Sequence, residues 1–278
     1  MELNLKHLIL MFFQKATHFI LILSQKNKIL RRFIDILGEE NSKNIKEIKI
    51  KNDSIFFYEV NSVTKYRNDT FFTKEPETLE WIDKFPKNCV FWDVGANVGL
   101  YSIYAGKTKN CKVTAVEPSV FNLELLAKNI YLNLLNKQIN ILPFGLSKKS
   151  LISNFHSTSI LNGGALSSLE TANKICFEQS KDQCNYKIPV LKLDLINSIF
   201  NIPNPKYLKI DVDGLEYEIL LGAKSVLKNL KSLLIEVDKK DLKKVRMICT
   251  LLKQENFKLI KEGKKIPKIS TINQIWEK

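Results

Sequence analysis

Residues 89–106, CVFWDVGANVGLYSIYAG, constrain most strongly what this chain can fold into. Val90, Phe91 and Trp92, followed by Val94, form a short apolar run interrupted only by Asp93. That pattern suits a strand buried on both faces of a parallel sheet. Gly95, Asn97 and Gly99 break the run, and Leu100, Tyr101, Ile103, Tyr104 and Ala105 resume it with helical spacing. A strand, a glycine turn and a helix start, in that order, present backbone N–H groups to the polar part of a nucleotide-like ligand. Gly95 is expected to let the chain turn tightly and approach the ligand, and Gly99 to let the helix pack close to the strand.

A second strand is expected from Cys111 to Glu117, ending in an acid 22 positions after Gly95 (117 − 95). A ribose-binding carboxylate belongs about 20 residues beyond such a turn. The turn reads D-x-G-x-N-x-G rather than the G-x-G-x-x-G of dinucleotide sites. Asp93 would repel a pyrophosphate but attract the ammonium of S-adenosylmethionine (SAM). Asp93, Gly95, Ala96, Asn97, Gly99 and Glu117 are therefore the candidate SAM-binding residues.

Bulk properties narrow the class. With 278 residues, 45% hydrophobic and 26% charged, the chain is expected to be globular, with one catalytic domain and flanking segments. Its five cysteines, an odd number, include no C-x-x-C pair, and the sequence has no signal-peptide pattern. Reduced thiols in a cytoplasm are the expectation, and a zinc site is not. The formal charge of +14 raises a nucleic-acid or anionic-membrane partner. However, only four of the 43 basic residues are arginine, the residue that phosphate and base recognition favours. Lysine spread along the chain reads as a solvated surface, so a nucleic-acid surface is not expected.

Residues 3–25 read as an amphipathic helix with a wide apolar side and a narrow polar face of His7, Gln14, His18 and Gln25. Polar interruptions keep it short of a membrane span. Two readings stand. The helix docks on the catalytic domain or a second subunit, or it lies on a membrane surface with Lys26, Lys28, Arg31 and Arg32. Docking is the preferred one. Residues 45–60 alternate around Asn-Asp-Ser and predict a hairpin. Residues 1–75 are read as an N-terminal accessory region, and 76–278 as the catalytic domain, entered by a helix with Pro76 in its first turn.

Beyond Glu117 the pattern predicts a helix over 121–136, a strand over 138–144 and a long polar loop over 150–188 with room for one hairpin. A short strand over 188–193 follows, with Asp194 capping the helix after it. Further strands are expected over 206–212 and 232–237, with helices over 215–230 and 241–256. A terminal antiparallel pair over 257–262 and 271–277 ends the chain. There is no internal repeat. Strands alternating with helices, then a hairpin, give an α/β doubly wound, Rossmann-like sheet of class I methyltransferase type with one reversed strand. Function in such a sheet gathers at the C-terminal strand ends, where Asp211, Asp213, Glu216, Glu236 and Asp238 join Asp93 and Glu117.

Several segments together resemble the FkbM family of methyltransferases. They are DVGANVGLYSI (93–103), AVEPSVFNLELLAKNI (115–130), Leu193-Asp194-Leu195, KIDVDGLEYEILLGA (209–223) and LLIEVD (233–238). The resemblance covers about residues 75–240. TKEPETLEWID (73–83) is similar to a lead-in seen in part of the family, which would bring Glu75 and Thr78 to the pocket. Two departures stand out: Asp213 replaces the usual Glu, and Leu215 the usual small residue. The resemblance implies SAM-dependent O-methylation, often of a sugar hydroxyl in a polysaccharide or glycosylated metabolite. Such a hydroxyl needs a carboxylate base or a divalent cation, and Asp211 with Glu236 are the candidate catalytic pair for either. His156 or an acid of the 150–188 loop is the next candidate base. Rival readings are a nucleic-acid methyltransferase, although no D/N-P-P-Y or Pro-Cys motif occurs, and a non-catalytic methyltransferase-like interaction subunit.

Overall fold

Four strands carry apolar residues on both faces, and this places them in the middle of the molecule. Phe91 and Trp92, Ala115 and Val116, and Leu233 to Ile235 are all essentially inaccessible, and in the fourth strand Leu208 and Ile210 are buried on one face while Tyr207 packs on the other. Strands covered on both sides in this way belong to a parallel sheet flanked by helices. A computed structural model describes residues 2–42, 44–51, 53–165, 167–169, 184–264 and 270–278. Cys176 and residues 170–183 of the expected long loop lie outside the described residues.

In chain order the elements are α1 (Glu2–Lys26), α2 (Lys28–Ser42), β1 (Ile45–Ile50), β2 (Asp53–Tyr58), α3 (Ser62–Asp69), α4 (Pro76–Asp83), β3 (Val90–Val94), α5 (Leu100–Lys109), β4 (Lys112–Val116) and α6 (Val120–Leu132). Next come β5 (Ile139–Leu142), β6 (Gly145–Leu146), β7 (Leu151–Ser157), β8 (Ser168–Leu169), β9 (Cys184–Leu191), α7 (Ile196–Phe200) and β10 (Tyr207–Ile210). The chain finishes with α8 (Glu216–Leu221), α9 (Lys224–Asn229), β11 (Ser232–Asp238), α10 (Leu242–Gln254), β12 (Lys258–Glu262) and β13 (Thr271–Glu277).

The main sheet has the order β12-β13-β11-β10-β3-β4-β5, parallel except where β13 runs antiparallel to its neighbours. This is the expected doubly wound sheet with its C-terminal hairpin. From β3 the chain steps outward through β4 and β5, then returns to β10 on the other side. The switch point therefore lies between β3 and β10, where a crevice opens at the strand ends.

Local differences from the sequence reading have physical causes. The hairpin for which the loop over 150–188 left room is the antiparallel pair β7–β9, and it extends into a second sheet ordered β6-β9-β7-β8. The helix expected over 215–230 is two helices, α8 and α9. They break at Gly222, where a Cβ would stand 2.5 Å from the Ser147 carbonyl oxygen. Asp194 does not cap the helix that follows it. Its Oδ1 accepts from the backbone N–H groups of Ser225 and Val226, both at 2.9 Å, and so caps α9 from 30 residues away. The sequence reading also missed α2 and α3.

Two compact units divide the chain, residues 1–45 and 46–278. The β1–β2 hairpin, grouped with the N-terminal helix in the sequence reading, belongs to the second unit. There Asn133 both accepts from Phe56 N (2.9 Å) and donates to Phe56 O (2.7 Å), and Asn129 Oδ1 accepts from Tyr58 N (3.0 Å). In the first unit, Asn27 Oδ1 accepts from Ile29 N and Leu30 N and starts α2. Among the described residues no helix is long and apolar enough to cross a membrane.

Candidate active site

The glycine turn is built against the end of β10. Ile210 pairs with Val94 in the β3–β10 register, so Asp211 follows directly beside Gly95. Gly95 adopts φ +81°, and a Cβ there would sit 1.8 Å from the Asp211 carbonyl oxygen. Close approach of the Asp211 backbone therefore demands glycine here in addition to the tight turn, and Gly95 also lines both of the clefts that meet at this point. Gly99, at φ +93°, admits Leu126 Cδ1 of α6 to a point 2.6 Å from where its Cβ would be. Ala96 is buried, and its N–H joins that of Gly95 on the Val116 carbonyl.

Glu117 closes the turn from below. Its Oε2 accepts from Asn97 N at 2.8 Å, and its Oε1 accepts from Ser119 N (2.9 Å) and Asn122 Nδ2 (3.3 Å). Burial pushes its pKa above the ordinary carboxylate value. Asn97 holds φ +51° and donates through Nδ2 to Gly164 O at 2.7 Å. Segment 162–164 is thereby strapped over the turn. Arg67 Nε donates to Gly163 O (2.8 Å), Asn61 Nδ2 to Asn162 O (3.0 Å), and Gly163 N to Asn122 Oδ1 (2.8 Å).

Two clefts meet across this turn and share Gly95, Asn97, Ala165, Asp211 and Asp213. The first, of about 600 Å³, is mostly apolar, with Val116, Phe144, Leu146 and Ile219 in its walls and Glu117 at one side. The second, of about 750 Å³, is charged, lined by Arg67, Lys74, Glu75, Tyr101, Lys209, Asp211 and Glu236 among others.

Asp93 is not among the lining residues of either cleft. It is 1% exposed, its Oδ2 accepts from Ser102 Oγ at 2.6 Å, and its Oδ1 is buried without a hydrogen-bond partner. Burial raises its pKa, while the Lys209 ammonium acts against that. The direct contact between Asp93 and a cofactor ammonium, expected from sequence, is thus corrected: Asp93 faces a cation that the protein itself supplies. That cation, Lys209, was missed by the sequence reading. It lies in register with Asp93, is 1% exposed, donates to Asp211 Oδ2 at 2.6 Å and sits 5.1 Å from the centre of the Tyr101 ring. Burial by itself would lower its pKa, but Asp211, Asp93 and Glu75 outweigh burial and hold it raised. A lysine within an otherwise apolar strand pattern, two residues before an acid, is the signal that could have found it.

Of the two candidate lead-in residues, Glu75 lines the charged cleft and Thr78 does not. Glu75 accepts from Lys74 Nζ (2.9 Å) and Tyr101 OH (3.0 Å). Burial would raise its pKa, but Lys74 and Lys209 bring it down to about 2. Thr78 is fully buried beside Asn273.

Asp211 and Glu236 come together as the strand positions imply. Ile210 pairs with Ile235, so both acids follow at the same level of adjacent strands and line one cleft. Their states differ. Asp211 is neutralised by Lys209 and a quarter exposed, and no hydrogen bond to its Oδ1 occurs among the described residues. Burial, then the Asp211 charge, pushes Glu236 up to about 9, so it is protonated at neutral pH. Burial likewise brings Glu216 to about 7, with its Oε1 accepting from Gly214 N (2.8 Å). His156 faces Asn185 and lines neither cleft. Among the described residues no group of three or more His, Cys, Asp or Glu is arranged to hold a metal ion.

Comparison with known proteins gives the site a family context. Residues 93–259, three-fifths of the chain, match the family described as methyltransferase FkbM domain. The hexuronic acid methyltransferase AglP of Haloferax volcanii is 26% identical over 168 residues, 59% of this chain and 64% of that protein, just under two thirds of its length. Solved structures with a similar fold include a precorrin-6y C5,15-methyltransferase from Geobacter metallireducens (14% identity, 76% of this chain and 88% of that chain, TM-score 0.43). Another is a ribosomal protein L11 methylase from Lactobacillus delbrueckii subsp. bulgaricus (12% identity, 73% and 75%, TM-score 0.44).

Proposed function

The chain belongs to the FkbM methyltransferase family, and from that premise we propose that it transfers a methyl group from SAM to a hydroxyl of a sugar in a polysaccharide, glycoconjugate or related metabolite. The observation that carries the reading is the two-part cleft, apolar on one side of the glycine turn and charged on the other, with Asp211 reaching both parts. The similarity to a hexuronic acid methyltransferase supports a sugar as the acceptor class.

The residues fit the cofactor. The apolar cleft suits a flat heteroaromatic base between Val116, Phe144, Leu146 and Ile219. Glu117 uses three of its roughly four acceptor positions on Asn97, Ser119 and Asn122 and keeps capacity for a ribose hydroxyl. Gly95, Ala96 and Asn97 form the floor between the clefts, and Gly99, which lines neither, lets Leu126 of α6 pack close behind it. Asp93 supports this floor from behind through Ser102 and Lys209. When bound, the cofactor supplies an electrophilic methyl group on a sulfonium.

The protein must then hold an acceptor oxygen in line and take its proton. Asp211 is the residue we assign to that task. Its Oδ2 accepts from Lys209 Nζ, while no hydrogen bond occupies its Oδ1 among the described residues and Asp211 lines both clefts. Glu236, protonated beside it, acts as a hydrogen-bond donor toward the acceptor or Asp211. This reading needs no divalent cation. The test is transfer from radiolabelled SAM to a panel of sugars and glycoconjugates, with and without EDTA. Labelled product in the presence of EDTA is expected. Absence of transfer to every sugar alongside transfer to RNA would overturn the reading.

For the N-terminal unit we propose peripheral contact with an anionic membrane surface, the second of the two readings above, in place of docking on protein. Phe12, Phe13, Phe19, Ile29 and Phe33 are each more than half exposed. Over residues 9–36, Lys15, Lys26, Lys28, Arg31 and Arg32 accompany a single acid, Asp35. Exposed apolar helices flanked by cations favour an anionic interface.

A further inference from the structure

Three cations line the charged cleft, and two of them have carboxylate partners. Lys209 is paired with Asp211 at 2.6 Å, and Lys74 with Glu75 at 2.9 Å. Arg67 is the third, and among the described residues no carboxylate forms an ion pair with it. Its Nε is committed to Gly163 O at 2.8 Å, which ties the guanidinium to the strap beside the glycine turn. The two Nη groups keep a planar fork of N–H donors suited to a carboxylate. Arg67 is also close enough to Lys74 for the two positive charges to oppose one another. Glu75 compensates Lys74, so an anion at the Nη fork would offset the charge of Arg67 and its repulsion of Lys74.

The charge around the cleft narrows the anion. Glu75, Asp211, Asp213 and Glu236 line the same space, so a phosphate dianion would meet several carboxyl groups at once. A single carboxylate, carried by a molecule otherwise neutral or zwitterionic, fits this balance better. We propose that Arg67, with Lys74 beside it, forms a carboxylate-binding site at the charged end of the cleft. The site rests on the methyltransferase reading above and names what that reading leaves open, namely the group recognised beyond the glycine turn. Two molecules bring that chemistry: the cofactor, through its amino-acid carboxylate, and an acidic sugar acceptor, through its uronate.

Calorimetry on the full chain separates them. Wild type, Arg67→Gln and Arg67→Lys are titrated with S-adenosylhomocysteine, with 5′-methylthioadenosine, which lacks the amino-acid moiety, and with glucuronate against glucose. If the site takes the cofactor's carboxylate, Arg67→Gln weakens S-adenosylhomocysteine roughly 10- to 100-fold, the loss of a charged hydrogen bond, and leaves 5′-methylthioadenosine unchanged. If it takes an acidic acceptor, the same variant loses glucuronate binding and keeps both nucleosides. Arg67→Lys, which keeps the charge without the fork, is expected to fall between. Equal loss of both nucleosides would mean that Arg67 only holds the strap, and unchanged binding of every probe would likewise overturn the site. Wild-type protein that binds neither nucleoside would overturn the methyltransferase reading together with the site. Wild-type binding of both S-adenosylhomocysteine and glucuronate that survives Arg67→Gln overturns the site alone.

Discussion

Asp93 and Lys209 stand opposite one another on adjacent parallel strands, each 1% exposed, and Lys209 Nζ continues to Asp211 at the strand end. One buried ammonium therefore serves both of these carboxylates, and its charge reaches Glu75 as well. It links the acid that begins the glycine-turn motif to the acid assigned to proton abstraction. Removing either kind of charge leaves the other uncompensated in a place that water does not reach.

Lys209→Met is accordingly expected to destabilise the fold by about 3–5 kcal/mol, as breaking a buried ion pair does. Pairing it with Asp93→Asn should recover part of the loss. Chemical denaturation of both variants checks this. Equal stability of Lys209→Met and wild type would contradict the charge-balancing role.

Gly95 and Glu117 should part company when substituted. Gly95→Ala places a methyl group 1.8 Å from the Asp211 carbonyl oxygen at a left-handed φ, so failure to fold is expected, whatever the ligand. Glu117→Ala should fold but bind S-adenosylhomocysteine more weakly by roughly 1.5–3 kcal/mol, the range for a charged hydrogen bond. Thermal melts and calorimetry distinguish the two outcomes.

Asp211→Asn is expected to lower the transfer rate about 10²–10⁴-fold, the usual loss on removing a general base, with cofactor affinity retained. Glu236→Gln should cost far less at pH 7, because Glu236 is already protonated there. Comparable losses in the two variants at saturating cofactor would indicate that Glu236 ionises in the complex and shares the proton.

Stability should fall as pH rises from about 5 to 9. Glu236 has its pKa lifted to about 9 and Glu216 to about 7, against 4.5 when unfolded. Within that window the folded state binds more protons than the unfolded state, so raising the pH favours unfolding. Below pH 4.5 the sign reverses through Glu75, whose pKa of about 2 withdraws its stabilising contribution as the pH falls. Glu236→Gln should flatten the upper slope and raise stability at pH 8 by up to about 5 kcal/mol, the 3.5 pH units above 4.5 at about 1.4 kcal/mol each. Melting curves across pH 5–9 for both proteins decide it.

For the N-terminal unit, co-sedimentation of the full chain with phosphatidylglycerol vesicles is expected, and little with phosphatidylcholine. Phe12→Ser combined with Phe19→Ser should release it, and so should 0.5 M salt. Binding that ignores all three changes would contradict an anionic interface.

The sequence by itself determined the alternation of buried strands and helices, the glycine turn, the reversed terminal strand and the row of acids at strand ends. Each of these is written in local period or in the residue that ends an apolar run, from Val90 to Gly99 and from Lys206 to Asp211. The tertiary structure decided which of those acids are charged and what they face. Burial and neighbours make Glu236 a neutral acid and Glu75 a strong one, and neither property has a local signature. It also decided that Gly95 yields to the Asp211 backbone, that Asp194 caps a helix 30 residues on, and that Lys209 answers Asp93 across a strand boundary. These depend on distances between segments remote in the chain, which only packing brings together.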